Sequence, residues 1–514
     1  MSSTSSVASA LAVACAVGAV VFLHKSDSFR PPYPPGPWRK PFIGNLLDMP
    51  RQDPEVSFAD WGQQYGDVVH LEIFGKHIIV LNSLEAARDL MDKRSGIYSD
   101  RPRFVMLCDL MGWANATTHV HYGPRFRKHR RFVQQILNQN AIASFQNLES
   151  RQTAIALGNF LKTPDNFADH ITSFAAGTML KVAYGYDVEA VNDPYVQIVE
   201  QAATLTVQIG NSYPISNLVE FFPWLKNLPL WAPLSGFRQQ AEVVRQAVDK
   251  MMNVPFEAVK QQMSSGTNQP SFTAHLLEQY SSAGKGTISQ DDEDDIKGAA
   301  GTLFAAAEDT TTCMIKVFIF AMLLHPEVYS KVQEEIARVV GHDRLPNFGD
   351  QSSMPYFDCV LKECFRWDTP VPLAIPHRLM QDDFYKGYFI PEGAYIMPNI
   401  YAMMHNCENP SEFCPERYLE NPELVDPRDV VFGFGRSPGR HLASAAMWLL
   451  TSRIAAVFHI EKARDPDSGE EITPPVEFST GFVRHPKPFF CSIKPRSEKA
   501  VRLVENALAE TQAA

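Results

Sequence analysis

No two of the eight cysteines in this sequence stand in a Cys-x-x-Cys pair; they are scattered from Cys15 to Cys491. Cysteines spread in this way are usually reduced and buried, so no disulfide framework is expected. Positive charge is also in short supply. The net charge of −11 removes the electrostatic reason to look for a nucleic-acid partner. Internal repeats and long low-complexity tracts are absent, which leaves out a repeat array. What is present is ordinary for a globular protein, 45% apolar and 20% charged residues.

Residues 7–23 form a run without a charge, apolar except for Ser9. As a helix the run spans about 25 Å, enough to cross a thin bilayer. No basic residue precedes it, whereas Lys25, Arg30, Arg39 and Lys40 follow. The positive-inside rule then leaves the bulk of the chain in the cytosol. A cleaved secretory signal would carry a basic n-region and end at a cleavage site. Here the run leads instead into Pro31-Pro32-Tyr33-Pro34-Pro35-Gly36-Pro37, which prolines stiffen into an extended spacer. The expected organisation is a membrane anchor over 1–30, a proline-rich hinge over 31–40, one domain over 41–496 and a polar tail over 497–514 that frays.

Within the body, the pattern over 54–65 predicts a helix. Residues 68–81 alternate and are rich in Val and Ile, which predicts a hairpin with Gly75-Lys76 as its turn. Ser83 is placed to cap a helix running to Lys93. Helical periodicity dominates 123–320 and 327–340. The proline-rich stretch 212–233 reads as a loop whose aromatics, Phe221, Phe222, Trp224 and Trp231, either pack on the core or face a membrane; core packing is the preferred reading. Short strands are expected near 388–390 and 489–493. Many helices with small segregated sheets indicate a mostly α, α+β domain.

Five motifs carry chemistry. Glu363 and Arg366 lie three apart on one helix face, and Arg417 follows in Pro415-Glu416-Arg417-Tyr418. Alone, such a pair is a common solvated helix surface. Ala306-Ala307-Glu308-Asp309-Thr310-Thr311 sets an acid beside an alcohol in mid-helix, where propensity disfavours both. Taken singly it reads as a surface acid and a Thr bonded back to its own helix. Residues 122–131 hold a dense basic helix with Arg130 inside it. Pro370-Val371-Pro372-Leu373-Ala374-Ile375-Pro376-His377-Arg378 is apolar and proline-rich. Phe432-Gly433-Phe434-Gly435-Arg436-Ser437-Pro438-Gly439-Arg440-His441 combines glycines, an aromatic and basic residues before another helix.

These motifs, in this order, resemble the cytochrome P450 superfamily of the fungal microsomal type, from the leader to about Arg496. The resemblance implies the P450 fold, with a long central distal helix, small β-sheets and an N-terminal transmembrane helix in the endoplasmic reticulum. It implies haem b, and electrons from NADPH through a cytochrome P450 reductase that docks on the basic helix. It further implies a monomer on membrane lipid that hydroxylates a small apolar substrate, in keeping with fungal secondary metabolism. Glu363, Arg366 and Arg417 would form a buried structural triad. Asp309 and Thr310 would serve oxygen activation, Thr310 by hydrogen bonding and Asp309 by linking it to bulk protons. Ala307 stands where the family usually has glycine. Arg130, His377, Phe432, Arg436, Gly439 and His441 would surround the haem, and Val371, Leu373, Ala374 and Ile375 would wall the substrate pocket. Short motifs at 99–102, Ser-Asp-Arg-Pro, and at 482–486, Phe-Val-Arg-His-Pro, fit the same fungal style.

One departure is decisive for chemistry. The family's loop runs Phe-x-x-Gly-x-Arg-x-Cys-x-Gly; here two residues are missing between its halves, and Ser437 precedes Pro438 where the cysteine belongs. A proximal thiolate pushes electron density that favours O–O cleavage. A serine hydroxyl keeps its proton at neutral pH and is a harder, poorer donor. His441, one helical turn on, reads as a neighbour of a haem propionate or a backbone carbonyl rather than as the ligand. The meander over 405–415 also looks short. Three readings stay open: a monooxygenase whose transcript carries two further codons in this loop, a P450-like pseudoenzyme without monooxygenase activity, or a structural membrane protein without cofactor, which the intact haem-flanking residues favour least.

Overall fold

The computed structural model describes residues 31–138, 141–188, 193–212, 214–229, 231–232, 235–283, 288–434 and 436–513. The apolar run over 7–23 lies outside them, as does Gly435. Among the described residues no single helix is long and apolar enough to cross a membrane.

The chain opens with α1 (Pro54–Tyr65) and a hairpin of β1 (Val68–Ile73) and β2 (Lys76–Leu81). The turn sits one residue earlier than expected, at Phe74-Gly75, because a two-residue hairpin loop needs positive φ at both positions; Phe74 has φ 48° and Gly75 φ 78°. Lys76 is therefore a strand residue. Ser83 caps as expected, its hydroxyl accepting from Ala86 N at 3.2 Å. The helix it starts widens into a π turn over Arg88–Lys93.

The helical body follows. It comprises α2 (Pro124–Leu137), α3 (Gln146–Lys162), α4 (Phe167–Tyr184), α5 (Pro194–Ser212), α6 (Pro214–Phe221), α7 (Gly236–Ser265) and α8 (Phe272–Ala283). Next come α9 (Gln290–Leu324), α10 (Pro326–Val339) and α11 (Pro355–Trp367). Short strands β3 (His377–Arg378), β4 (Asp383–Tyr385), β5 (Tyr388–Ile390) and β6 (Tyr395–Pro398) lie between α11 and the proximal loop. The last elements are α12 (Arg440–Val457), β7 (Phe458–Arg464), β8 (Glu471–Ile472), β9 (Cys491–Pro495) and α13 (Glu498–Ala513). The sheets are small and separate, ordered β1-β2-β6-β3, β4-β5 and β8-β7-β9.

Helix α9 is the axis. Ser289 caps it, accepting from Asp292 N, and Asp291, Asp292 and Glu293 oppose the dipole in its first turn. Its N-terminal half packs Ile296, Ala299, Ala300 and Phe304 into a core shared with α4, α7 and α8. Its C-terminal half, Cys313 to Leu323, is buried against α10, α11 and α12. Apart from the half-buried Lys316 this stretch is apolar on every side and enclosed, as a core helix is.

Three expectations are corrected. The stretch 212–233 is not a plain loop: it holds α6 and a 3-10 turn at Pro223–Asn227. Its aromatics divide. Phe221 and Phe222 pack on Phe74 with centroids 5.6 and 5.0 Å away, whereas Trp224 and Trp231 are 63% and 84% exposed. The tail does not fray after Arg496, because α13 buries Ala500 and Val504 and lays Leu508 against Gly158 of α3. The prolines at 31–37 are extended but not a free spacer. Pro35 O accepts from His70 N at 2.9 Å and Pro32 O from Phe389 N at 2.9 Å. Gly36 passes so close to β1 that a Cβ there would lie 2.0 Å from His70 O.

Candidate haem site

The proximal wall is built from α11, the meander after the short helix Ile400–Met404, and the loop before α12. Glu363 and Arg366, three apart on α11, form a two-point pair with both bonds at 2.8 Å. Arg417 Nε adds a third bond to Glu363 Oε1 at 3.1 Å, and Cys414 N a fourth at 2.9 Å. The arginines spend their remaining donors on the meander: Arg366 on Pro410 O and Glu412 O at 2.8 Å each, Arg417 on Glu408 O at 2.9 Å. Glu363 is fully buried. The structure thus brings the three residues together with every charge answered, and the short meander still closes on them.

The loop before α12 turns through two left-handed residues, Gly433 and Phe434 (φ 66° and 57°). Phe432 packs its ring at a tilt of 60° on Phe365 of α11, centroids 5.7 Å apart. Ser437 N donates to Phe432 O at 3.0 Å, which fixes Ser437 at the loop's end, and Gly439 caps α12. His441 is half-exposed with its Nε2 3.2 Å from Arg440 Nε. Burial, then the Arg440 charge, holds its pKa below the usual histidine value. No described cysteine replaces the missing one in this loop. Cys407 and Cys414 are tied into the meander, Cys407 beside Arg366 and Cys414 beside Glu416.

Around Arg436 of this loop gather Arg101, Arg130 and His377. Arg130 of α2 donates to Arg436 O. Arg436 Nη1 is 3.5 Å from His377 Nδ1. Arg101 donates to Ile375 O and Pro376 O at 2.6 and 3.0 Å, so it crosses the apolar segment after α11. Burial, then Arg436, pushes Arg101 down to about 9. Burial, then the Arg101 and Arg436 charges, holds His377 well below its ordinary range. Burial, followed by Arg101, takes His119 to about 3. Arg101 Nε and Arg436 Nη2 are buried without a hydrogen-bond partner. Like charges crowded out of water, with donors unspent, require an anion. Two carboxylates on a flat apolar body, the periphery of haem, meet that demand. The iron side does not fit a thiolate, since Ser437 offers only a hydroxyl.

On the distal side, Thr310 Oγ1 donates to Ala306 O at 2.8 Å within α9. Asp309 does not face solvent alone: His485 Nε2 lies 2.8 Å from its Oδ1, and Ser479 Oγ accepts from His485 N at 3.0 Å. Glu308 is buried and raised to about 8, first by burial and then by Asp309 and Glu200. Of the apolar wall, Val371 and Ile375 are half-buried. Leu373 packs under the β1–β2 hairpin and Ala374, at φ 51°, against the sheet beside it. The basic helix is less free than a docking face would be. Arg125 and Lys128 both bond Asp295 at 2.6 Å, and Lys128 also bonds Asp292 at 2.5 Å.

Sequence reasoning gave no role to Arg101 or His485. Both lie in the short motifs at 99–102 and 482–486, whose partners, residues 375–376 and 309, are far away in the chain.

A family profile described as Cytochrome P450 matches residues 34–493. Cytochrome P450 monooxygenase 136 of Postia placenta is 39% identical, over 92% of this chain and 90% of its own length. Cytochrome P450 monooxygenase claR of Ampulloclitocybe clavipes is 39% identical over 92% of this chain and 88% of its own. Tryptamine 4-monooxygenase of Psilocybe cyanescens is 37% identical over 92% and 94%.

Proposed function

Because the chain belongs to the cytochrome P450 family, we propose that it is built for haem-dependent monooxygenation of a small apolar molecule in fungal secondary metabolism. The single observation that carries this reading is the cluster of Arg101, Arg130 and Arg436 around His377, in which guanidinium donors of Arg101 and Arg436 have no partner. Haem bound there would supply the redox-active iron, with reactivity set by its axial ligand. Arg101, Arg130 and Arg436 would bind and orient its carboxylates. Asp309 and His485 share a hydrogen bond that can hold a proton between solvent and the Thr310 hydroxyl. Val371 and Ile375 present apolar surface that would keep water from the substrate. A terpenoid, an aromatic or a fatty molecule meets that surface; the tryptamine of one relative's name adds an aromatic amine to these.

In this reading residues 7–23 anchor the protein in the endoplasmic reticulum membrane, with the body in the cytosol and a P450 reductase delivering NADPH electrons. Exposed Trp38, Phe42 and Leu47 support it, together with Trp224 and Trp231. Both groups neighbour the tip of the β1–β2 hairpin: Asn45 N bonds Glu72 O at 2.6 Å on one side, and Phe221 and Phe222 flank Phe74 on the other.

Ser437 favours a second reading for the chain as written, a haem-binding protein without monooxygenase activity. The test is spectroscopic. Expressed with haem, reduced and exposed to CO, the chain should give no thiolate-type Soret band. Inserting an Xaa-Cys pair between Ser437 and Pro438 should create that band and turnover with it. A folded insertion variant that binds haem but lacks the band would defeat the first reading; the band in the unaltered chain would defeat the second.

A further inference from the structure

We propose that the outer face of the β1–β2 hairpin holds a divalent transition-metal site made of His70, Glu72 and His77, independent of the haem site. The two-residue period of a strand sends Val69, Leu71 and Ile73 into the core and leaves His70 and Glu72 on the other face. The antiparallel register sets His77 directly opposite Glu72. One ligand atom from each of the three lies within 4.8 Å of the others, and His70 Nε2 and His77 Nδ1 are 2.9 Å apart. Zinc with bonds of about 2.0–2.2 Å sets its ligands roughly 3.3 Å apart in a tetrahedron. A small rotation of the rings and one carboxylate rotamer therefore reach that geometry.

The chemistry of the donors suits the ion. Two imidazoles and a carboxylate are a zinc-class set, with one position left for water. On binding, the proton between the rings moves to an outer nitrogen, which frees both metal-facing nitrogens to ligate. The rings are also held in place. Tyr33 stacks on both, 4.8 Å from His70 and 5.1 Å from His77, and carries the segment at 31–36 across them. One group opposes the ion. Arg39 bonds Glu72 Oε2 at 2.6 Å and lies over Tyr33 at 5.3 Å. Metal and guanidinium compete for one carboxylate. Filling the site would exchange the Arg39 pair for a metal bridge and pin the proline segment to the hairpin.

The competition gives the test its sharpness. Zn2+ is titrated into the full chain by calorimetry, and Co2+ by its visible ligand-field bands. H77Q and E72Q should each weaken binding tenfold or more, at the scale of a lost ligand or outer partner. R39Q should strengthen it several-fold by freeing Glu72. H342Q, which changes an exposed histidine elsewhere, should leave it unchanged. Each variant is checked for a cooperative thermal transition; E72Q, which keeps side-chain size, and R39Q, at an exposed position, stand in if H77Q does not fold. Binding that ignores H77Q, E72Q and R39Q alike, or no binding at millimolar Zn2+, would show that the histidines only hydrogen-bond each other and would overturn the proposal.

Discussion

Two groups of largely enclosed arginines lie near the same loop, and they differ in one respect. Arg366 and Arg417 face Glu363 and a row of carbonyls, so each of their charges is met inside the protein. Arg101, Arg130 and Arg436 crowd one another and His377 with only Asp92 and Asp100 near them, and donors on two of them are unspent. The first group is self-sufficient and can only hold structure. The second is incomplete and can only be completed by an anion from outside. Balance of charge, not burial or residue type, separates a structural cluster from a binding one.

Breaking the balanced cluster should have the largest effect. Glu363→Gln leaves two buried guanidiniums without their carboxylate and is expected to cost about 3–5 kcal/mol in denaturant unfolding. A wild-type midpoint in this variant would mean that the meander carbonyls suffice.

A buried acid without any cation sharpens the contrast. Glu149 is fully buried, neither of its oxygens has a partner, and burial raises it to about 8. Its folded pKa lies above its unfolded value of 4.5. The folded state therefore binds the extra proton, and this group's contribution to stability falls as pH rises from 4.5 toward 8. Glu149→Gln should be neutral below pH 4.5 and stabilising at pH 8, by on the order of 2–4 kcal/mol. Equal melting curves for both proteins at pH 8 would contradict the unpaired carboxyl.

The smallest stability change should come from the incomplete cluster. Arg101→Met removes one of its crowded charges, so haem-free stability should shift by less than about 1 kcal/mol, either way. Haem affinity, followed by absorbance titration, should fall at least tenfold. A large loss of stability with affinity unchanged would move Arg101 into the structural class.

Much of this was legible from spacing alone. The helix at 54–65, the strand at 388–390 and the i, i+3 pair Glu363/Arg366 are local patterns, and local geometry places them. Arg417 joined that pair only through the order of motifs. What the reading missed is non-local. Lys76 moved into the strand because φ at Phe74 and Gly75 decides the turn. The tail became α13 because Gly158, some 350 residues away, leaves room for Leu508. Arg125 and Lys128 lost their freedom to acids at the start of α9.

By itself the amino-acid order determined the helices, the hairpin, the family and the lack of a sulfur donor at Ser437, since each is a matter of period, motif or residue identity. Only the tertiary structure decided which charges are answered. It joined Arg101 to the segment after α11, His485 to Asp309, and two histidines and a glutamate across one hairpin face. Burial and pairing depend on neighbours that chain spacing does not encode, and in a low-dielectric interior those neighbours determine what a charged side chain can do.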